Sequence, residues 1–228
     1  MESVQKLTHI EHILKRPDSY VGPVDLNVEP YWVLNSNKSQ FEKKNLKYSP
    51  ALLKIFDEIL VNAIDRNSMH PKNVTSISVD IDKESGAVTI ENNGPLGGIG
   101  VRMHEKEGLW NPELTFGHLL TSTNYDDSQK RIVGGRNGYG AKLTNIYSSD
   151  FSIVIKDHEN KQTYTQKWSK NMTVCEPPKI KKHSGATSSV SVTFVPDWRR
   201  FGLSKMENAI YKIFQKRVWD ANICTTPN

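Results

Sequence analysis

The chain has 228 residues, a formal net charge of +5 and 36% hydrophobic residues. That is enough chain for one sizeable core, and no apolar run approaches the ~18–20 residues that span a bilayer. The stretch up to Ser19 has no apolar segment of the secretory-signal kind. Cys175 and Cys224 form neither a zinc spacing nor a disulfide framework, so the sequence reads as an intracellular protein with reduced thiols.

Residues 1–24 make a charged arm ending in Arg16-Pro17-Asp18-Ser19-Tyr20-Val21-Gly22-Pro23, and residues 25–48 read as polar and irregular. Ser49-Pro50 then opens a helix, a cap residue followed by proline in the first turn. Leu52, Leu53, Ile55, Phe56, Ile59, Leu60, Ala63 and Ile64 make most of its surface apolar, which predicts a buried helix. Within it Glu58, Asn62 and Asp65 stack along one face. Val74–Asp82 alternates with period two, Lys83–Gly86 is a turn, and Val88–Glu91 is the return strand. Pro112–Leu120 reads as a short helix, Thr121–Gly135 as a long polar loop, and Gly140–Tyr147 as another helix. Phe151–Lys156, Thr163–Trp168 and Val190–Val195 read as strands, the first two as a hairpin. Ser204 is the expected cap of a last helix. The order predicts one α+β domain rather than a βαβ array.

Eight of the 14 glycines fall in two windows, Gly94–Gly100 and Gly134–Gly140. Such clusters mark backbone that turns tightly or approaches a ligand. Neither window is a standard phosphate motif. In the second, Lys142 comes one residue too late for a P-loop and no hydroxyl follows it; Gly138-Tyr139-Gly140 lacks the third glycine of a dinucleotide fingerprint. A glycine-rich loop entering a helix still presents unpaired N–H groups, so phosphate suits it on physical grounds. Glu58 inside an apolar helix is costly unless paired. It either satisfies Asn62 or nearby backbone, or lines a cleft where a carboxylate and an amide oxygen serve a hard cation and a general base. Short basic clusters, Lys179–His183, Arg199-Arg200 and Lys216-Arg217, leave a solvated surface or a nucleic-acid contact open.

Taken in order, these strings resemble a known family. Phe56-Asp-Glu-Ile-Leu-Val-Asn-Ala63, Asn92-Asn93-Gly94, Phe116-Gly-His-Leu-Leu-Thr-Ser122, Asn124-Tyr-Asp-Asp127, Gly134–Lys142 and Thr193-Phe-Val-Pro-Asp197 are similar to the ATPase domain of type IIA DNA topoisomerases, in the eukaryotic and large-DNA-virus branch of the GHKL ATPases. The resemblance implies a Bergerat-type α/β sandwich, a mixed and mostly antiparallel sheet with helices on one face. Residues 1–24 would be a dimerisation arm and 25–228 the ATPase domain, a piece of a larger enzyme without its transducer and cleavage domains. Glu58 would be the catalytic base that activates water, and Asn62 would complete Mg²⁺ coordination. Asn93 would read the adenine amino group, Ile99 would flank it, and Thr193 would support the base pocket. Ser122, Thr123 and Asn124 would contact sugar or phosphates. Arg136, Asn137, Gly138, Tyr139, Gly140 and Lys142 would wrap the phosphates of ATP, and Tyr20 would reach the partner subunit's nucleotide. The implied function is an ATP-driven gate that closes as a homodimer around double-stranded DNA for relaxation or decatenation, in the nucleus if cellular, or in the virion or at a site of viral replication if viral, with no membrane partner. A non-hydrolytic nucleotide-gated clamp is the alternative. Two departures stand out. The segment after Asn93 carries two extra residues, with Gly100 where proline is common, and Arg66 replaces a polar amide.

Overall fold

The computed structural model describes residues 4–37, 39–96, 98–121 and 138–225. Its elements are α1 (His9–Lys15), β1 (Asn27–Leu34), β2 (Phe41–Tyr48), α2 (Pro50–Met69), β3 (Ser76–Ile81), β4 (Val88–Gly94), α3 (Asn111–Gly117), α4 (Gly140–Ile146), β5 (Ser148–Asp157), β6 (Gln162–Ser169), β7 (Val174–Cys175), β8 (Lys179–Lys182), β9 (Ser188–Pro196) and α5 (Asn208–Cys224). One sheet runs β3-β4-β9-β5-β6-β7, with β8 also paired to β6, and β1 and β2 form a separate hairpin. The expected sheet was mixed; every strand pairing among the described residues is antiparallel.

Alternation along the strands sorts the sheet into two faces. Val88 and Ile90 on β4 pair with Phe194 and Val192 on β9, and these pair in turn with Phe151 and Ile153 on β5. All six are buried. Phe151 meets Phe116 of α3 with ring centroids 6.2 Å apart, so this is the face that the helices cover. The opposite face carries mostly hydroxyl and charged side chains, the arrangement usual for an antiparallel sheet packed on one side.

Helix α2 lies at the centre of the core. Ser49 Oγ accepts the Leu52 N–H at 3.3 Å, and Pro50 fills the first turn as expected. Ala51, Leu52, Ile55, Phe56, Ile59 and Leu60 are buried. Phe56 stacks on Phe214 of α5, centroids 4.1 Å apart. Thr144 of α4 donates to the Ile55 carbonyl at 2.8 Å, fastening α4 across α2.

Two sequence expectations change. The stretch 25–48 is not irregular: Asn27–Leu34 pairs with Phe41–Tyr48 over its full length and packs on α5. Ser204 does not cap the last helix, which begins at Asn208 after Glu207. The arm is docked: Ile13 and Val21 belong to the core, and Tyr147 Oη donates to the Ile13 carbonyl at 2.8 Å.

Candidate functional site

The site is built where α2 meets α4. Glu58, Asn62 and Arg66 follow one another at four-residue intervals on α2, so they form one stripe along it. Glu58 is held from two sides. Lys54, one turn earlier, places Nζ 2.5 Å from Oε1. On the other side, Gly140 at the start of α4 approaches so closely that a Cβ there would overlap Glu58 Oε2. With no side chain at 140 the Glu58 carboxylate occupies the space that a Cβ would take, and Gly140 has no left-handed φ. Asn62 is exposed.

Lys142 is buried, at 3% exposure. Its ammonium donates to the Thr121 carbonyl at 2.7 Å and to the Gly138 carbonyl at 2.6 Å. Burial pushes its pKa down to about 8. Gly138 takes φ +66°, the left-handed region where glycine is favoured, and Tyr139 lies partly buried against the core.

The adenine-side residues separate by strand parity. Asn92 is buried and shares the helix-covered face with Val88 and Ile90. Asn93 faces the other way, paired with Ser189 and Ser76. Thr193 is also on that other face, where its hydroxyl meets the Thr89 hydroxyl at 2.8 Å. The readings of Asn93 and Thr193 as base-pocket residues are therefore corrected: alternation turns both side chains away from Glu58 and the helices. Asn92 is the residue that sequence reasoning missed, and the signal was the alternation Val88–Ile90–Asn92.

Gly94 ends β4 against the Asn73 carbonyl, where a Cβ would overlap the backbone. Ile99 packs on the core, and the Val101 N–H donates to Asp157 Oδ2 at 2.7 Å. Arg66 Nη2 donates to the Gly98 carbonyl, so the cation reaches from the α2 stripe to the loop after β4. Tyr20 bonds within its own chain, Oη 2.9 Å from His12 Nδ1. Ser122, Thr123, Asn124, Arg136 and Asn137 lie outside the described residues.

No family model matches the chain. It is 47% identical over 219 residues to DNA topoisomerase 2 of Penicillium chrysogenum, covering 96% of this chain and 14% of that protein. It is 44% identical over 221 residues to DNA topoisomerase 2 of Saccharomyces cerevisiae, 97% of this chain and 15% of that protein. The solved ATPase region of Saccharomyces cerevisiae topoisomerase II superposes with a TM-score of 0.92 at 44% identity, covering 96% of this chain and 57% of that one. In sequence and fold the chain matches the ATPase region of type II DNA topoisomerases. The ATPase and transducer domains of topoisomerase II from Balamuthia mandrillaris give a TM-score of 0.90 at 42% identity, covering 96% of this chain and 56% of that one. The fold is accordingly the GHKL sandwich expected from the motifs. The chain spans about one-seventh of the curated topoisomerase relatives.

Among the described residues no group of three or more His, Cys, Asp or Glu side chains could hold a metal. Glu58 and Asn62, one turn apart on α2, carry a carboxylate and an amide oxygen, the donor types that suit a hard cation such as Mg²⁺. Among the described residues no helix is long and apolar enough to cross a membrane.

Proposed function

We propose that this chain is the ATP-binding and hydrolysing gate of a type IIA DNA topoisomerase. The observation that carries the reading is the placement of Glu58. An acidic side chain on a buried helix is pinned between a lysine and the glycine that ends the Gly134–Gly140 window. The similarity to solved topoisomerase II ATPase regions supports it.

In this reading ATP lies over the α2 stripe. The base enters beside Asn92, whose amide offers both a donor and an acceptor. The phosphates lie toward Gly138–Lys142, where the Lys142 ammonium supplies positive charge. Glu58 takes the proton of the attacking water and orients it; Lys54 and Gly140 hold the carboxylate for that task. When bound, Mg²⁺ supplies charge neutralisation between the phosphates, and Asn62 is the protein oxygen that would hold it. Ser122, Thr123, Asn124, Arg136 and Asn137 remain proposed nucleotide contacts from the family motif.

Tyr20 and the docked arm would cross to a partner subunit as two copies close around double-stranded DNA. Nucleotide can drive that closure only by binding the closed state more tightly than the open one.

Calorimetry of this chain with a non-hydrolysable ATP analogue and Mg²⁺ tests the first claim: saturable 1:1 binding is expected, and no binding ends the reading. Glu58→Ala tests the second. Measured on the longest natural chain that carries this sequence, it should keep analogue binding and lose turnover at least ~100-fold, the range for a general base. Retained turnover would remove Glu58 from the role.

A further inference from the structure

The face of the main sheet opposite the helices carries an ordered set of cations. Directly paired residues share a face, so the strand registers define rows across it. Lys181 of β8 pairs with Thr163 of β6, which pairs with Lys156 of β5, which pairs with Ser189 of β9. The next row runs Lys179, Thr165, Val154 and Ser191. In the third, Lys167 pairs with Ser152, and Ser152 with Thr193. Glu176 follows β7 opposite Lys167, its N–H donating to the Lys167 carbonyl at 2.9 Å. Lys156, Lys167, Lys179 and Lys181 are all exposed. None of the four makes an ion pair with a described residue.

Lysine on an edge strand has an ordinary use, blocking edge-to-edge pairing. That accounts for Lys179 and Lys181. It does not account for Lys156 and Lys167, which stand on strands paired on both sides. With strands about 4.8 Å apart and alternate residues about 7 Å apart, the four lysines span a patch roughly 10 Å by 14 Å, with the Thr163 and Thr165 hydroxyls between them. Carboxylates border the patch: Glu176 opposite Lys167, Asp150 one row beyond Ser152 on β5, and Glu91 and Asp80 farther off on β4 and β3.

We propose that this lysine and hydroxyl face binds the phosphate backbone of double-stranded DNA. A flat array of cations with hydroxyl donors matches a regular line of phosphates, which carry one charge per ~1.7 Å of duplex axis. The array holds no aromatic platform, so it is unsuited to stacking the bases of single strands. The site lies on the opposite side of the sheet from the α2 stripe, so it stands or falls independently of the nucleotide reading.

The test is fluorescence anisotropy with a labelled 20-bp duplex, titrating this chain at several salt concentrations. The variant replaces Lys156, Lys167, Lys179 and Lys181 with Gln. A control of equal charge replaces Lys43, Lys47, Lys72 and Lys106, also exposed. The face variant should bind at least ~10-fold more weakly, and its log–log salt slope should fall by about 3.6, given ~0.9 for each of four phosphate contacts. The control should bind like the natural chain. Equal loss in both variants would reduce the effect to net charge and overturn the site, as would undiminished binding by the face variant. Equally tight binding of a poly-glutamate chain of matched charge would make the face a general acid-binding surface and overturn the assignment to DNA. Far-UV circular dichroism and ATP-analogue titration of each variant, both expected unchanged, show that the fold and the opposite side are intact.

Discussion

The Cα of Gly140 rests against Oε2 of Glu58 so closely that a Cβ at position 140 would overlap the carboxylate. Two residues 82 positions apart thus share one volume, and the glycine sets where the acid stands. Gly140→Ala should leave the fold in place, since the acid can rotate toward solvent, but displace the carboxylate from its position. The expected outcome is near-normal ATP-analogue binding with turnover reduced ~100-fold or more. Equal loss of binding and turnover would instead mean that Gly140 matters for the ligand's access.

Lys54 holds the other oxygen of the same carboxylate. Its ion pair is half-exposed, so its value to stability is small, about 0–1 kcal/mol. Lys54→Met should therefore shift the melting temperature little and lower kcat ~10-fold with KM nearly unchanged. Lys54→Arg should restore part of the rate. A fall in melting temperature that tracks the fall in rate would mark the lysine as structural only.

Lys142 predicts a pH dependence. Its folded pKa is pushed by burial from 10.5 to about 8. Between these values the unfolded chain binds the extra proton, so this group's contribution to stability rises with pH through that window and is lowest below about 8. Its charge runs the other way: mostly present at pH 7, mostly lost by pH 9. Nucleotide affinity should fall across that interval, with proton uptake on binding visible as buffer-dependent calorimetric heats near pH 8. Lys142→Met should abolish both signals.

Strand parity gives a direct comparison of neighbours. Asn92→Ala should weaken adenine-nucleotide binding ~10-fold or more, because it removes a buried polar group from the helix-covered face. Asn93→Ala, on the opposite face, should change affinity less than ~2-fold. Measured side by side by calorimetry, the reverse order would restore Asn93 to the pocket.

The arm's attachment is testable through one hydroxyl. Tyr147→Phe leaves the buried Ile13 carbonyl without its donor and should cost about 1–3 kcal/mol. Limited proteolysis should then cut within residues 4–16 faster than in the natural chain, with the rest of the domain equally resistant.

Much of this was readable in the residues. The cap at Ser49, the buried character of α2 and the stripe through Glu58 and Asn62 follow from local spacing, and each stands where expected. What could not be read was anything set by distant partners. The β1–β2 hairpin looks irregular because Phe41–Tyr48 shows no alternation: its burial comes from packing on α5, nearly 170 residues downstream. The pair Asn92-Asn93 is sorted only by the alternation Val88–Ile90–Asn92, which a motif match passes over; pairing with β9 sets that face against the helices. In the sequence Arg66 stands out only as a replacement for a polar amide, and the folded loop shows it bound to the Gly98 carbonyl.

The bond from Tyr147 to Ile13 also orders events in time. The two residues are 134 positions apart, so the first helix can find this seat only after α4 and the start of β5 exist. At ~5–20 residues per second of synthesis, the arm emerges roughly 7–27 s before its acceptor surface is made. Its docking is therefore a long-range step of the kind that slows folding, and the N-terminal end of this domain is not the first part to be secured.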